Sequence, residues 1–389
     1  MKQFIRLLGV EFRRIFSNSV LVAIFFGAPT LYGVMFANVY KKGKLTDMPV
    51  VVIDEDNSPL SGKIIDALGD NEALLVTKVQ YAPDNIAEEM PSKEYVAILT
   101  IPDGFEAAVL QKRYPEVQVD INLANLVPAN FATRAIQTVL GTISAGVEIE
   151  GLKKAGADPA TAAQRYEPFK VNYNRMYNPA SNYMELMMPG ILGTIMQQVL
   201  FLGLALVFAR DFEDGYFNKL AAASQWSLYH IVLKALPFVL LSIVMWLIVG
   251  SFYPLFGIAI PVFTWPMVLL VSIFTLACMF IGMLFSLAIP SQLKATELLM
   301  VLATPSFLLS GYTWPIEAMP RLIQQFSNLL PLTHFLQAFR RIAIYRGTVA
   351  DIHTQLMALI WISCFCFLLM TILLQVKIYR QRKQAALVN

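Results

Sequence analysis

The chain has 389 residues, 57% of them hydrophobic and only 15% charged, with a formal net charge of +3. Soluble proteins carry about 25% charged residues, and here long apolar runs carry almost none, so composition sets aside an ordinary soluble domain and indicates a membrane protein. The small net charge and the lack of a long basic run argue against a nucleic-acid partner.

The N-terminal segment is basic, with Lys2, Arg6, Arg13 and Arg14 ahead of the first apolar run. A bilayer core needs about 20 apolar residues in a helix. Six stretches reach or approach that length: Val20–Val39, Met184–Ala209, Tyr229–Gly250, Pro266–Ile289, Thr296–Gly311 and Gln355–Val376. The fifth is short for a full crossing. The first is longer than the core of a signal peptide and no small-x-small cleavage site follows it, so it is expected to stay as an anchor. Lys377, Arg380, Arg382 and Lys383 follow the last run. Basic residues favour the cytoplasmic side, which predicts both termini inside and an even number of spans. Arg340, Arg341 and Arg346 run against this pattern.

Residues 41–182 form the one long polar region and should lie outside the cytoplasm. They read as a small α+β domain. MPVVVI (Met48–Ile53) is a buried-strand pattern, and Ser58 and Pro59 have the positions of an N-cap and a first helical residue. Leu60–Leu68 should be the helix. Tyr95–Ile101 reads as a second strand, followed by a helix opening near Gly104 and running through Gln111. Val117, Val119, Ile121 and Leu123 alternate on one face of a third. Residues 128–155 are helix-compatible and would reach about 40 Å at 1.5 Å per residue. Phe169, Val171 and Tyr173 suggest a further strand. The acids Asp54, Glu55 and Asp56 follow the first strand. Acids there can hold a metal, but turn chemistry explains them as well.

Familiar catalytic motifs are missing. No G-x-x-x-x-G-K-[ST], H-E-x-x-H or G-x-S-x-G occurs. Cys278, Cys364 and Cys366 lie inside apolar runs with no disulfide framework or zinc spacing. His230, His334 and His353 are scattered near expected membrane boundaries. The spans hold few ionisable groups, where an ion path would need them. If the chain moves a substrate, its energy should come from elsewhere.

Residues 210–225, RDFEDGYFNKLAAASQ, should face the cytoplasm. Charges (Arg210, Asp211, Glu213, Asp214) and aromatics (Phe212, Tyr216, Phe217) flank Gly215. Such a mixture suits docking, with aromatics filling a groove and charges orienting it. A second unusual stretch is FLLSGYTWPIEAMP, Phe307–Pro320. It starts as the end of a membrane helix and then breaks at Ser310, Gly311, Pro315 and Pro320. Ile316, Met319, Leu322, Ile323, Phe326, Leu329 and Leu330 then recur at helical spacing. They predict one amphipathic helix lying in the interface.

These features together resemble the ABC-2 type permeases, the membrane subunits of type V ABC transporters, in their multidrug-efflux-like branch. The resemblance covers nearly the whole chain. It rests on Gly9-Val10-Glu11-Phe12-Arg13-Arg14 as an N-terminal connecting helix, and on VVVIDEDNSP opening an extracytoplasmic domain. It rests also on Tyr177-Asn178-Pro179, on Pro189-Gly190, and on Arg210-Asp211-Phe212-Glu213-Asp214-Gly215 entering a coupling helix. The pattern Phe307, Ser310, Gly311, Pro315, Met319, Pro320 and then Pro331-Leu332-Thr333 completes it.

The resemblance implies a polytopic α-helical membrane protein of six transmembrane helices with a re-entrant hairpin at 312–335. An α+β extracytoplasmic domain at 41–182 would separate an N-terminal portion (1–40) from the remaining spans (183–389). It implies the permease subunit of an ATP-driven exporter in the bacterial inner membrane, paired with a second permease copy or paralogue. ABC ATPase subunits would carry ATP and Mg²⁺, with no cofactor on this chain and an envelope adaptor as a further partner. It assigns coupling to Glu11, Arg210, Asp211, Phe212, Glu213, Asp214, Gly215 and Tyr216. The hairpin it implies, marked by Phe307, Ser310, Gly311, Pro315, Met319, Pro320, Phe326 and Pro331, is expected from its broken backbone to close the outer end of the pathway, with Phe307, Leu308 and Phe326 as apolar plugs. The alternative is a membrane-anchored sensor or enzyme that uses the extracytoplasmic domain.

Overall fold

The computed structural model describes residues 2–82, 95–158, 161–162, 176–178 and 181–388. The chain divides into two compact units, residues 44–175 and residues 1–43 with 176–389.

The inserted unit holds a four-stranded sheet: β1 (Met48–Asp54), β2 (Leu74–Gln80), β3 (Ala97–Ile101) and β4 (Gln118–Ile121). Its order is β2-β1-β3-β4. β1 is parallel to both neighbours, and β3 is antiparallel to β4. β1 is central and buried almost throughout, as its continuous Val/Ile run requires. Ser58 caps the following helix with a reciprocal bond to Ser61, and Pro59 opens it (Pro59–Gly69). A short helix (Phe105–Leu110) follows β3, and a 29-residue helix (Leu126–Lys154) follows β4. Ile64, Leu68, Ala132 and Ile136 join Val50, Val52 and Leu99 in one apolar core.

The sequence reading missed β2, because LLVTKVQ is half-exposed and interrupted by Lys78. The strand expected at Phe169–Tyr173 lies outside the described residues. Asp54 is satisfied locally: Oδ1 accepts from the N–H groups of Asp56 and Asn57, and Oδ2 accepts from Ser61 Oγ. Asp56 Oδ2 accepts from Glu106 N–H at 3.0 Å. These acids build the turn.

The larger unit is helical. An amphipathic helix α1 (Lys2–Phe16) leads into α2 (Ser19–Val39), which contains one π turn at Ala23–Gly27. After the inserted unit come α3 (Tyr183–Glu213), α4 (Phe217–Ala223), α5 (Ser227–Leu255) and α6 (Trp265–Ala288). Then follow α7 (Gln292–Ala303), α8 (Ser306–Leu309), α9 (Arg321–Ser327), α10 (Pro331–Ala343) and the 36-residue α11 (His353–Val388). α3 is apolar on all sides and is the most buried of the long helices, as expected for a central helix. Its interior Pro189 sits beside Gly190. A Cβ on Gly190 would lie 2.6 Å from the Tyr312 ring and 2.8 Å from Phe307, so the missing side chain admits both rings.

Among the described residues, five helices are long and apolar enough to cross a membrane: α2, α3, α5, α6 and a segment spanning Ala350–Ala386. The run expected as a fifth of six spans is instead two helices, α7 and α8, interrupted at Thr304-Pro305. Proline removes a backbone donor there and stops regular bonding. The single amphipathic helix expected over residues 316–330 is also broken. It consists of a 3₁₀ turn (Ile316–Ala318), an extended Met319-Pro320 corner and the short α9. The strongly two-faced helix is α10, whose Leu332, Phe335, Leu336 and Phe339 are buried. Phe335 stacks on Phe274 of α6 at 4.1 Å between ring centroids.

Candidate functional site

Glu11 and Arg14 are one helical turn apart on α1, so both project from the same side. The end of α3 supplies Arg210, Asp211 and Asp214, and α5 supplies Lys234. Arg14 reaches Asp211 at 2.5 Å and Asp214 at 2.9 Å. Lys234 Nζ lies 2.8 Å from Glu11 and 2.5 Å from Asp211. Arg210 adds a contact of 3.4 Å to Asp214 and donates to the Arg14 carbonyl at 3.2 Å. Three acids and three bases thus balance in one cluster. Its centre is closed: Asp211 is 0% exposed, Lys234 2% and Glu11 5%.

Such charges leave water at a cost of several kcal/mol each, and only mutual pairing offsets it. The arrangement therefore ties α1, α3 and α5 to one geometry at this end of the bundle. Burial acts to lower the Arg14 pKa. Asp211, by charge and hydrogen bond, with Glu11 and Asp214, outweighs it and holds the value above the ordinary one. Tyr216 lies under the Arg14 guanidinium at 4.5 Å. Its phenol is pushed up by burial first and by Glu11 second.

The rest of the loop is anchored as well. Glu213 is exposed and accepts from the Gln292 backbone N–H at 2.7 Å and from its side-chain amide, so it caps α7. Phe212 meets Phe217 at 4.7 Å, and Lys377 of α11 lies 4.5 Å from the Phe212 ring. Arg382 Nε donates to the Ala221 carbonyl at the end of α4 at 2.7 Å. Gln375 accepts from Ser227 N–H and donates to the Gln225 carbonyl. Gly215 takes φ +66° at the corner before α4.

The sequence-predicted coupling residues are thus together in space, but they differ in kind. Glu11 and Asp211 are interior, spent on Lys234 and Arg14, whereas Glu213, Asp214 and Gly215 face outward and Arg210, Phe212 and Tyr216 are half-buried. Lys234 was missed. Its signal was present, since it is a lysine inside the apolar run Tyr229–Gly250 and intramembrane charges mark sites. Gln375 and Arg382 carried no local signal.

The second group of predicted residues lies at the other end of α3, about 45 Å away for 31 residues at 1.5 Å each. Gly311 takes φ +78°, a region natural to glycine. Ser310 Oγ donates to the Phe307 carbonyl at 2.6 Å and accepts from Tyr312 N–H at 3.3 Å. Ser327 Oγ donates to the Leu309 carbonyl at 2.5 Å, which brings α9 back onto α8. Arg340 donates to the Tyr312 carbonyl at 2.9 Å and lies over its ring at 4.6 Å. Burial pushes the Tyr312 phenol up to about 12, against the lowering effect of Arg340.

Pro331 is buried, Met319 is half-buried, and Pro315 and Pro320 are exposed at the corners. Of the expected plugs only Phe307 is packed, against Tyr312 at 5.9 Å. Leu308 and Phe326 point outward, 63% and 40% exposed. They are placed on the outer side of their short helices because Ser306 and Ser327 take the inner positions.

Comparison with known proteins agrees with this architecture. The sequence pattern of the ABC-2 family transporter proteins matches residues 14–373. The inner membrane transport permease YhhJ of Escherichia coli K12 is 24% identical over 321 residues, 80% of each chain. YbhR of the same organism, named a probable multidrug ABC transporter permease, is 20% identical over 82% of this chain and 84% of its own. The linearmycin resistance permease LnrN of Bacillus subtilis is 22% identical over 90% of this chain and 94% of its own. A match across nearly the whole length, on a bundle of long apolar helices, means that the chain belongs to the ABC-2 transporter family.

Proposed function

We propose that the chain is the permease subunit of an ATP-driven exporter, a multi-pass protein of the bacterial inner membrane with both termini in the cytoplasm. Two copies, or this chain and a paralogue, form the pathway, and each docks a separate ATPase subunit that binds ATP and Mg²⁺. Residues 41–182 lie on the extracytoplasmic side and offer a surface for an envelope adaptor. The pair α7–α8 serves as the fifth of six crossings, and the segment from Gly311 to α10 forms a re-entrant hairpin at the outer face. Related permeases are named for multidrug transport and linearmycin resistance, which favours amphipathic export substrates.

The observation that carries this reading is the ion cluster. Through Asp214, held by Arg14 and Arg210, it fastens the corner after α3 to α1, α3 and α5 at once. A push on that corner moves three helices together, because an interior ion pair resists being pulled apart. Force from a docked ATPase then reaches the far end of α3. The chain's own sequence has no phosphate-binding G-x-x-x-x-G-K-[ST] loop, so the nucleotide chemistry falls to the partner. The test is co-purification with a candidate ABC ATPase subunit, then ATP-dependent transport in proteoliposomes. Transport of substrate by this chain without any ATPase would refute the proposal.

A further inference from the structure

A cavity of about 760 Å³ opens in the helical unit at the end of α3 remote from the ion cluster. The first turn of α3, the turn after α5, the Tyr312 segment and the end of α10 surround it. Its size suits a drug-sized ligand. The walls are mixed. Leu186, Ile260 and Ile344 supply apolar surface, and Tyr177 and Tyr345 stand together at 4.8 Å between ring centroids. Both of these tyrosines are more than half-open or half-open to solvent, at 55% and 50%, while Tyr312 is buried at 7%. The cavity is therefore rimmed by exposed aromatic rings, with the buried Tyr312 in its wall.

The charges in the lining do not balance. Arg340 and Arg346 face one carboxylate, Glu185. Glu185 is engaged by the Asn182 amide at 3.3 Å. Among the described residues, neither arginine forms an ion pair. Arg340 is half-buried, bonded to the Tyr312 carbonyl, and its Nε is buried without a partner. Lys234, the fully buried cation among the described residues, has its counter-charges. Tyr177 and Arg346 also hold left-handed backbone, at φ +69° and +56°. That conformation is disfavoured for residues with side chains and tends to persist at functional sites.

An uncompensated guanidinium is a planar fork of donors, matched to carboxylate and phosphate oxygens. We infer that this cavity binds an amphiphilic oxyanion, a carboxylate or phosphate ester attached to an apolar body. The headgroup meets Arg340 and Arg346, and the apolar part lies against Tyr177, Tyr345 and Ile344. This deepens the permease reading by naming a ligand chemistry for its far end. It is testable without the ATPase, so its failure and the failure of that reading are separate results.

The experiment uses the full chain in nanodiscs of zwitterionic lipid and a dansyl-labelled undecanoate probe, whose emission reports an apolar site. Saturable binding is expected. Dodecyl phosphate should displace the probe, and dodecyltrimethylammonium at equal concentration should not. Arg346→Gln, which breaks no bond seen in the fold, should weaken binding by about tenfold, the loss of one charge-assisted contact. Arg340→Gln should weaken it further, and Lys219→Gln, an exposed lysine at the other end, should leave it unchanged. Repeating the titration with phosphatidylglycerol in the nanodisc separates the sources. Suppressed probe binding identifies a bilayer lipid as occupant, and unchanged binding identifies a soluble amphiphile. Equal displacement by the cationic detergent, displacement by inorganic phosphate alone, or unchanged affinity in both arginine variants overturns the inference.

Discussion

Lys234 Nζ lies 2.5 Å from Asp211 Oδ2, and the two side chains are 2% and 0% exposed. One helix thus carries a buried cation and another its buried counter-ion. Removing either one should cost about 3–5 kcal/mol, because the buried cluster is left with an uncompensated charge: without Lys234, Glu11 loses its ion-pair partner, and without Asp211, Arg14 loses its interior one. Lys234→Met and Asp211→Asn should each lower stability by that amount in thermal or denaturant unfolding of the detergent-purified chain. The double variant restores the charge balance but leaves Glu11 buried without Lys234, so it should recover only part of the loss. Single losses under about 1 kcal/mol, the range of surface pairs, would contradict the buried-cluster account.

The outward corner at 213–216 is the proposed docking surface. Glu213→Arg reverses an exposed charge and also removes the cap from α7. Glu213→Gln keeps an acceptor for Gln292 and separates these effects. Glu213→Arg should abolish ATPase co-purification while the chain still inserts, and Glu213→Gln should weaken assembly by less. Tyr216→Ala should lower coupled transport as well, since it removes the ring under Arg14. Unchanged assembly and transport in both Glu213→Arg and Tyr216→Ala would move the docking surface elsewhere.

Gly311 and Gly190 make the Tyr312 corner possible. At Gly311 a Cβ would fall 2.6 Å from Ile316 Cγ1, on a backbone already at φ +78°. Gly311→Val combines a clash with a conformation that β-branched residues avoid, and strain of this kind costs about 1–3 kcal/mol. Transport at matched protein level in vesicles should fall more than expression does. Phe307→Ala removes the ring packed on Tyr312 and should make the outer end leak. Leu308→Ala and Phe326→Ala should have little effect, because both side chains are exposed in the single chain. The reverse ranking would restore the plug role expected for Leu308 and Phe326.

Orientation is tested by labelling intact cells with a membrane-impermeant thiol reagent. The background replaces Cys278, Cys364 and Cys366. Asn57→Cys should react from outside, whereas Glu213→Cys and Ala385→Cys should react only after permeabilisation. External labelling at 213 would invert the topology and remove the cytoplasmic docking surface.

The sequence by itself determined the membrane class, the long apolar helices, the central buried strand β1 with its Ser58–Pro59 helix start, and the break after Ser310. These follow from local properties. Apolar length decides burial in a bilayer, a hydroxyl at an N-cap and proline at the next position start a helix, and glycine with prolines stops one. The sequence also marked the residues around Gly215 as unusual. What the sequence could not separate was their roles, because burial is set by neighbours far along the chain. Asp211 and Glu213 are two residues apart and look alike in sequence. A helix turns about 100° per residue, so one points inward to Lys234 and Arg14 and the other outward to Gln292. Lys234 meets Glu11 across 223 positions and Arg382 meets Ala221 across 161. The Tyr177–Tyr345 pair and the Arg340 guanidinium, without an ion pair among the described residues, also exist only once α3 and α10 are packed side by side. The apolar pattern from Ile316 to Leu330 suggested one helix, but Met319-Pro320 cannot continue it. Only packing against Leu309 and Tyr312 decided that α9 folds back and that α10 carries the buried face.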